Sequence, residues 1–171
     1  MKKMNMTIIL TVMTAAVLSA GTIGSSSVDV DKFYSLEDMF RYAMEDEHMA
    51  LAEYEAIMEK FDVDRPYANI AKSEETHISY LNKLYETYGF DIPRIDTDAH
   101  VVIPSSLAEA AQVGVDAEIA NIAMYEKFLD QDLPDDVREV FTFLKNGSEN
   151  HLASFQRQLA AGGGGRFRSR A

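Results

Sequence analysis

Glu47, Glu74, His77, Glu118 and His151 stand inside hydrophobic stripes, at positions where helical spacing calls for apolar side chains. Burying an unpaired carboxylate or imidazole loses several kcal/mol of desolvation free energy. A metal ion held between such groups offsets that loss directly. Carboxylate oxygens and imidazole nitrogens together suit iron, manganese or zinc. Helices that each turn one or two of these residues inward describe a metal site in the core of a bundle. The five residues are therefore candidate metal ligands. Glu74 and His77, three apart, share a helix face and can present an oxygen and a nitrogen to one point.

Four helical segments must position these donors. Helix A opens at the N-cap Ser35, with Asp38 three residues on, and runs to about Phe61. Its stripe is Leu36, Phe40, Met44, Glu47, Ala50, Leu51, Tyr54, Ile57, Met58 and Phe61. Helix B starts near Asp64 to Pro66 and stops at Gly89, with Tyr67, Ile70, Ala71, Glu74, His77, Ile78, Leu81, Leu84, Tyr85 and Tyr88 on one face. Helix C opens with Ser106 and Glu109 in capping-box spacing and carries Leu107, Ala111, Gly114, Glu118, Ile122, Tyr125 and Leu129. Helix D begins around Pro134, carries Val137, Val140, Phe141, Leu144, Ser148, His151, Leu152, Phe155 and Leu159, and stops at the glycine run 162–165. Between B and C, Phe90 to Pro104 has no helical periodicity and is too long for a tight turn. It is expected to cross from one end of a bundle to the other, with Val101, Val102 and Ile103 packing on the bundle as it passes. The expected fold is all-α: an antiparallel four-helix bundle with a long crossover between helices B and C.

The chain also repeats itself. Glu47, Ala50, Tyr54 and Glu55 on helix A match Glu118, Asn121, Tyr125 and Glu126 on helix C in spacing. Ser73 to His77 on helix B match Gly147 to His151 on helix D, Ser148 standing where Glu74 stands. The chain thus reads as two helical hairpins, each with a carboxylate on its first helix and a histidine on its second.

This pattern resembles the ferritin-like superfamily, the rubrerythrin-type di-iron bundles in particular, and within it a branch known as a domain of unknown function. The resemblance spans roughly residues 35–165. It rests on Glu45-Asp46-Glu47 with Ala50 and Tyr54, on Tyr67-Ala68-Asn69-Ile70-Ala71 before Ser73 to His77, and on Gly147-Ser148-Glu149-Asn150-His151-Leu152. It implies a ferritin-like bundle with metal ligands at Glu47, Glu74, His77, Glu118 and His151. It implies iron, one or two ions, with manganese or zinc as alternatives, and redox chemistry with dioxygen or peroxide. Ser148 departs from the general pattern, which has a sixth ligand, a glutamate, there; Asn121 departs from the branch, which often has an aspartate. One metal, an asymmetric pair or loss of metal are all compatible with that reduced donor set. A non-catalytic metal-scavenging domain, or a structural bundle with a decayed site, are the rival functions. No catalytic residue is assigned.

The bulk composition narrows the field. With 171 residues and 47% hydrophobic content, the chain can build one domain with a proper core. It has no cysteine, which removes disulfides, thiolate zinc sites, iron–sulfur clusters and cysteine nucleophiles. The net charge of −12 repels phosphate backbones, so nucleic acid is not an expected partner. Lys2 and Lys3 precede an apolar run, Thr7 to Ala20, that ends in small residues. Residues 1–20 are read as a cleaved secretory signal peptide, the rival being an uncleaved membrane anchor. Either places the domain outside the cytoplasm: secreted, periplasmic or at the cell surface. The membrane is met only through that segment. Residues 21–34 are read as a linker, 35–161 as the bundle, and 162–171 as a flexible Gly/Arg tail.

The remaining polar residues have ordinary roles. Tyr54 and Tyr125 are read first as core packing with a satisfied hydroxyl, and second as ligand-bonding or electron-relaying groups. His48 and the acidic Glu45, Asp46, Glu53 and Glu55 are read as a solvated helix face, and His100 as a loop residue.

Overall fold

The structure is a computed structural model, and it describes residues 23–29 and 31–161. Its elements are a 3-10 turn, Gly24–Ser27, and four long helices: α1 (Leu36–Phe61), α2 (Tyr67–Tyr88), α3 (Leu107–Leu129) and α4 (Asp135–Ala160). There is no β-strand among the described residues, and no helix there is long and apolar enough to cross a membrane. The expected leader, residues 1–20, and the expected tail, residues 162–171, lie outside the described residues.

Local chemistry sets the helix ends. The Ser35 side chain accepts from the Asp38 N–H, and the Ser106 side chain from the Glu109 N–H. Each such cap satisfies a donor that the helix leaves unpaired, and contributes about 1 kcal/mol. Gly89 ends α2 in the left-handed region, φ +68°, which costs glycine nothing.

Packing is layered along the bundle. In one apolar layer the start of α1 (Met39, Phe40, Met44) meets the end of α2 (Leu81, Leu84, Tyr85), the end of α3 (Met124, Tyr125, Phe128) and the start of α4 (Val137, Phe141, Leu144). In the other, the end of α1 (Tyr54, Ile57, Met58) meets the start of α2 (Tyr67, Ile70, Ala71), the start of α3 (Ala110, Val115) and Phe155 of α4. Each large side chain buried in these layers contributes roughly 1.5–3 kcal/mol. Buried polar residues occupy the same helices between them: Glu47, Glu74, His77, Glu118, Asn121, Ser148 and His151. The apolar layers supply the stability that this polar layer must draw upon.

Two expectations are corrected. The face of helix C is turned from the expected stripe: Asn121, Met124 and Phe128 are buried, while Ile122 and Leu129 are only half-buried. Phe128 and Met124 fill the core beside Phe141 and Leu144, which the larger apolar side chains of the stripe did not reveal. The Ser-rich segment, read as a linker, is tied to α1 over Gly24 and Ser25. Gly24 is buried, and its N–H donates to Glu45 Oε2 at 3.0 Å, while the Ser25 N–H donates to Asp46 Oδ1 at 2.7 Å. In the crossover, Val102 (74% exposed) and Ile103 face solvent instead of packing. Lys60 Nζ holds that segment by donating to the Pro104 carbonyl at 2.6 Å.

Candidate metal centre

All five expected donors are buried, between 0% and 6% exposed. Their side chains form two groups, Glu47–Glu74–His77 and Glu74–Glu118–His151, and in each the ligand atoms lie within 4.8 Å of one another. Glu74 belongs to both. Its Oε2 lies 2.9 Å from His77 Nδ1, and its Oε1 lies 3.1 Å from His151 Nδ1. Glu47 Oε2 is 2.9 Å from His77 Nδ1, and Glu118 Oε1 is 3.4 Å from His151 Nδ1. Both imidazoles therefore turn Nδ1 toward the carboxylates. On its other side His77 Nε2 faces Ser73 Oγ at 3.3 Å. The two rings lie 27° from parallel, 5.8 Å apart.

The tyrosines cross the bundle. Tyr125 on α3 donates to Glu47 Oε1 on α1 at 2.6 Å, and Tyr54 on α1 donates to Glu118 Oε1 on α3 at 2.8 Å. Each is satisfied, as packing alone requires, but the acceptor in each case is a candidate ligand. Their seven-residue spacing from Glu118 and Glu47 was the signal; the crossing could not be read from it.

Gly147 makes room for His77. A Cβ at Gly147 would fall 2.5 Å from His77 Cε1 and Nε2, well inside van der Waals contact. The α4 backbone thus lies directly over the imidazole. Ser148, which stands in α4 where Glu74 stands in the matching segment of α2, is buried and bonds back to the Leu144 carbonyl at 3.3 Å. Asn121 lies on α3 between Glu118 and Tyr125 at helical spacing, so it shares their face. It is 5% exposed, and among the described residues its Oδ1 has no partner; nor has Glu118 Oε2.

The electrostatics follow from burial and mutual contact. Burial, and then the charge of Glu74, push the Glu47 carboxyl up to about 8. Burial would also raise Glu74, but the imidazoles of His151 and His77 hold it below the usual carboxylate range. Burial would lower His77, yet its bonds to Glu47 and Glu74 raise it to about 10; His151 is raised to about 9 by Glu118 and Glu74 against the same burial. Burial pushes both Tyr54 and Tyr125 well above the ordinary phenol value, helped by nearby carboxylates, so both hydroxyls keep their protons and donate. Two imidazolium groups among three carboxyl groups leave the layer close to neutral, the condition under which buried charge is tolerable.

Outside the centre, His48 is half-buried and belongs to neither group. Asp46 and Glu53 are half-buried rather than solvated, and burial raises each to about 7. Glu55 is exposed, as expected.

Fold and site together define a four-helix bundle with a buried carboxylate–histidine cluster. The chain matches no protein-family model. It is 28% identical over 131 residues to the uncharacterized protein MJ0754 of Methanocaldococcus jannaschii, covering 67% of this chain and 70% of that one. A crystal structure of the hypothetical protein MJ0754 from Methanococcus jannaschii DSM 2661 superposes with a TM-score of 0.68 at 24% identity, over 85% of this chain and 93% of that one. That likeness shows a shared fold.

Proposed function

We propose that this chain is an exported ferritin-like metal protein of rubrerythrin type, an antiparallel four-helix bundle whose α2–α3 connection crosses its length. Its core would hold iron, one or two ions, and couple it to dioxygen or peroxide. The antiparallel order is supported by the start of α1 packing with the end of α2, and the start of α3 with the end of α4.

Glu74 carries the metal reading. One carboxylate that reaches a separate Glu–His pair with each of its oxygens is the arrangement in which two cations would share a ligand. The residues fit such a cation in their chemistry, since carboxylate and imidazole donors suit iron, manganese and zinc. They fit also in their unmet needs. Glu118 Oε2 and Asn121 Oδ1 are buried acceptors without partners, which costs free energy unless a positive group meets them.

Glu47 and His77 would hold one cation and Glu118 and His151 the other, with Glu74 between. Bound iron supplies electron transfer and open positions for a small oxidant. The chain's own residues prepare that chemistry. Tyr125 and Tyr54 fix the orientation of Glu47 and Glu118, turning Glu47 Oε2 to His77 and leaving Glu118 Oε2 without a partner among the described residues. The apolar layers on either side exclude water. With Ser148 in place of a carboxylate, the α4 side contributes one donor fewer than the α2 side, so the two positions are unequal.

Elemental analysis of protein purified without added metal tests the reading, beside a Glu74→Ala/His77→Ala variant. Bound metal in the wild type and its loss in the variant are expected; unchanged metal content in the variant overturns the assignment. Peroxide added to iron-loaded protein then separates an enzyme, which turns over repeatedly, from a scavenger, which does not.

A further inference from the structure

We propose that a cavity on the α1–α3 side of the bundle is the passage by which a divalent cation reaches the centre. This inference rests on the metal reading above. α1 packs chiefly on α2, and α3 on α4, so α1 and α3 touch little directly, and the Gly24–Ser27 turn lies against both. A cavity of about 340 Å³ opens there. Its wall includes three alanines, Ala50, Ala117 and Ala120. Ala117 precedes Glu118 in sequence, and Ala50 lies three residues past Glu47.

One side chain belongs to both places. Tyr54 lines the cavity, and its hydroxyl donates to Glu118 Oε1 at 2.8 Å. A cation in the cavity is thus one phenol away from a candidate ligand. Swinging that hydroxyl aside breaks a single hydrogen bond and exposes the carboxylate. Tyr125, the counterpart of Tyr54, is fully buried, with the Phe141 ring at 5.6 Å and the Phe128 ring at 6.4 Å. On the α2–α4 side, Phe143 stands edge-on to His77 at 5.6 Å. A cavity of about 320 Å³ lies on that side too, but Lys83 lines it and the apolar Phe143 ring, not a phenol bonded to a ligand, stands between it and the centre.

Charge agrees with geometry. Asp46 and Glu53 line the cavity beside His100, and among the described residues no Lys or Arg does. A carboxylate-lined recess with low-dielectric walls concentrates cations and raises their rate of arrival. Such a passage changes how fast the centre fills and leaves unchanged how much it holds.

Stopped-flow loading of metal-stripped protein with Mn(II) or Fe(II), read beside an equilibrium titration of ions per chain, tests this. Ala120→Leu fills the recess, and Glu53→Gln, compared above pH 7 where Glu53 is ionised, removes a charge from it. Both are expected to slow loading by roughly tenfold or more at unchanged stoichiometry, and Glu53→Gln also to weaken the salt dependence of the rate. Thr87→Leu, on the α2–α4 side, is expected to load like the wild type. Wild-type rates in both cavity variants, or equal slowing in Thr87→Leu, overturn the passage and leave the metal centre standing. A wild type that binds no cation at equilibrium overturns both.

Discussion

Tyr125 on α3 donates its hydroxyl to Glu47 on α1 across 2.6 Å, joining the first helix of one hairpin to the first helix of the other. Tyr54 and Glu118 repeat the relation in the opposite sense at 2.8 Å. The two bonds tie the hairpins together at the level of the candidate ligands. They also leave Glu47 Oε2 to His77, and Glu118 Oε2 without a partner among the described residues.

Tyr125→Phe removes one of these bonds while keeping the ring. Loss of a buried hydrogen bond that leaves its acceptor unmet costs about 1–3 kcal/mol. A second effect is expected at the centre, where loss of a ligand's outer partner weakens metal binding roughly 10–100-fold. Calorimetric unfolding and metal titration of the same variant read both effects. A stability loss with metal affinity intact would make Tyr125 a packing residue alone.

Gly147→Ala should destabilise, against local propensity. Alanine in a helix interior is ordinarily better than glycine by about 1 kcal/mol. Here the new methyl would lie 2.5 Å from the His77 ring and displace it. A lower Tm and a metal affinity reduced by about tenfold or more are expected, and a raised Tm would show that His77 yields freely.

Asn121→Leu should separate folding from binding. The near-isosteric exchange removes a buried acceptor that has no partner. Metal-stripped protein is expected to keep or gain stability, by up to about 2 kcal/mol, while metal affinity falls. Unfolding curves with and without Mn(II) measure the two. An affinity equal to that of the wild type would remove Asn121 from the centre.

Metal-stripped protein should lose stability in mild alkali. His77 and His151 have folded-state values raised to about 10 and about 9, so the folded chain holds their protons more tightly than the unfolded one. Their contribution is full below about pH 6.5, the ordinary imidazole value, and disappears as pH rises through 9 to 10. Glu47, raised to about 8, shifts stability in the same direction. A loss on the order of 2 kcal/mol, about 4–8 °C in Tm for a chain of this size, is expected between neutral pH and pH 10. Since a cation must displace these protons, loading should release them and affinity should rise with pH. A metal-stripped protein with flat stability to pH 10 would contradict the ion-paired layer.

The sequence by itself determined the four helices and picked out five carboxylates and imidazoles that meet in the core. Ser35, Ser106 and Gly89 mark helix ends through bonds and backbone angles within a turn or two of themselves. Glu47, Glu74, His77, Glu118 and His151 stood out because a period of 3.6 residues puts them among apolar neighbours on one face. Those signals are local. Tertiary structure alone decided that Glu74 reaches both histidines, that each tyrosine bonds the opposite hairpin's carboxylate, and that Asn121 rather than Ile122 turns inward. It alone folded Gly24–Ser27 onto Glu45 and Asp46, and left the recess beside Tyr54. These depend on the rotation and stagger of each helix against its neighbours. Contacts between residues far apart in the chain fix both, and no local spacing encodes them.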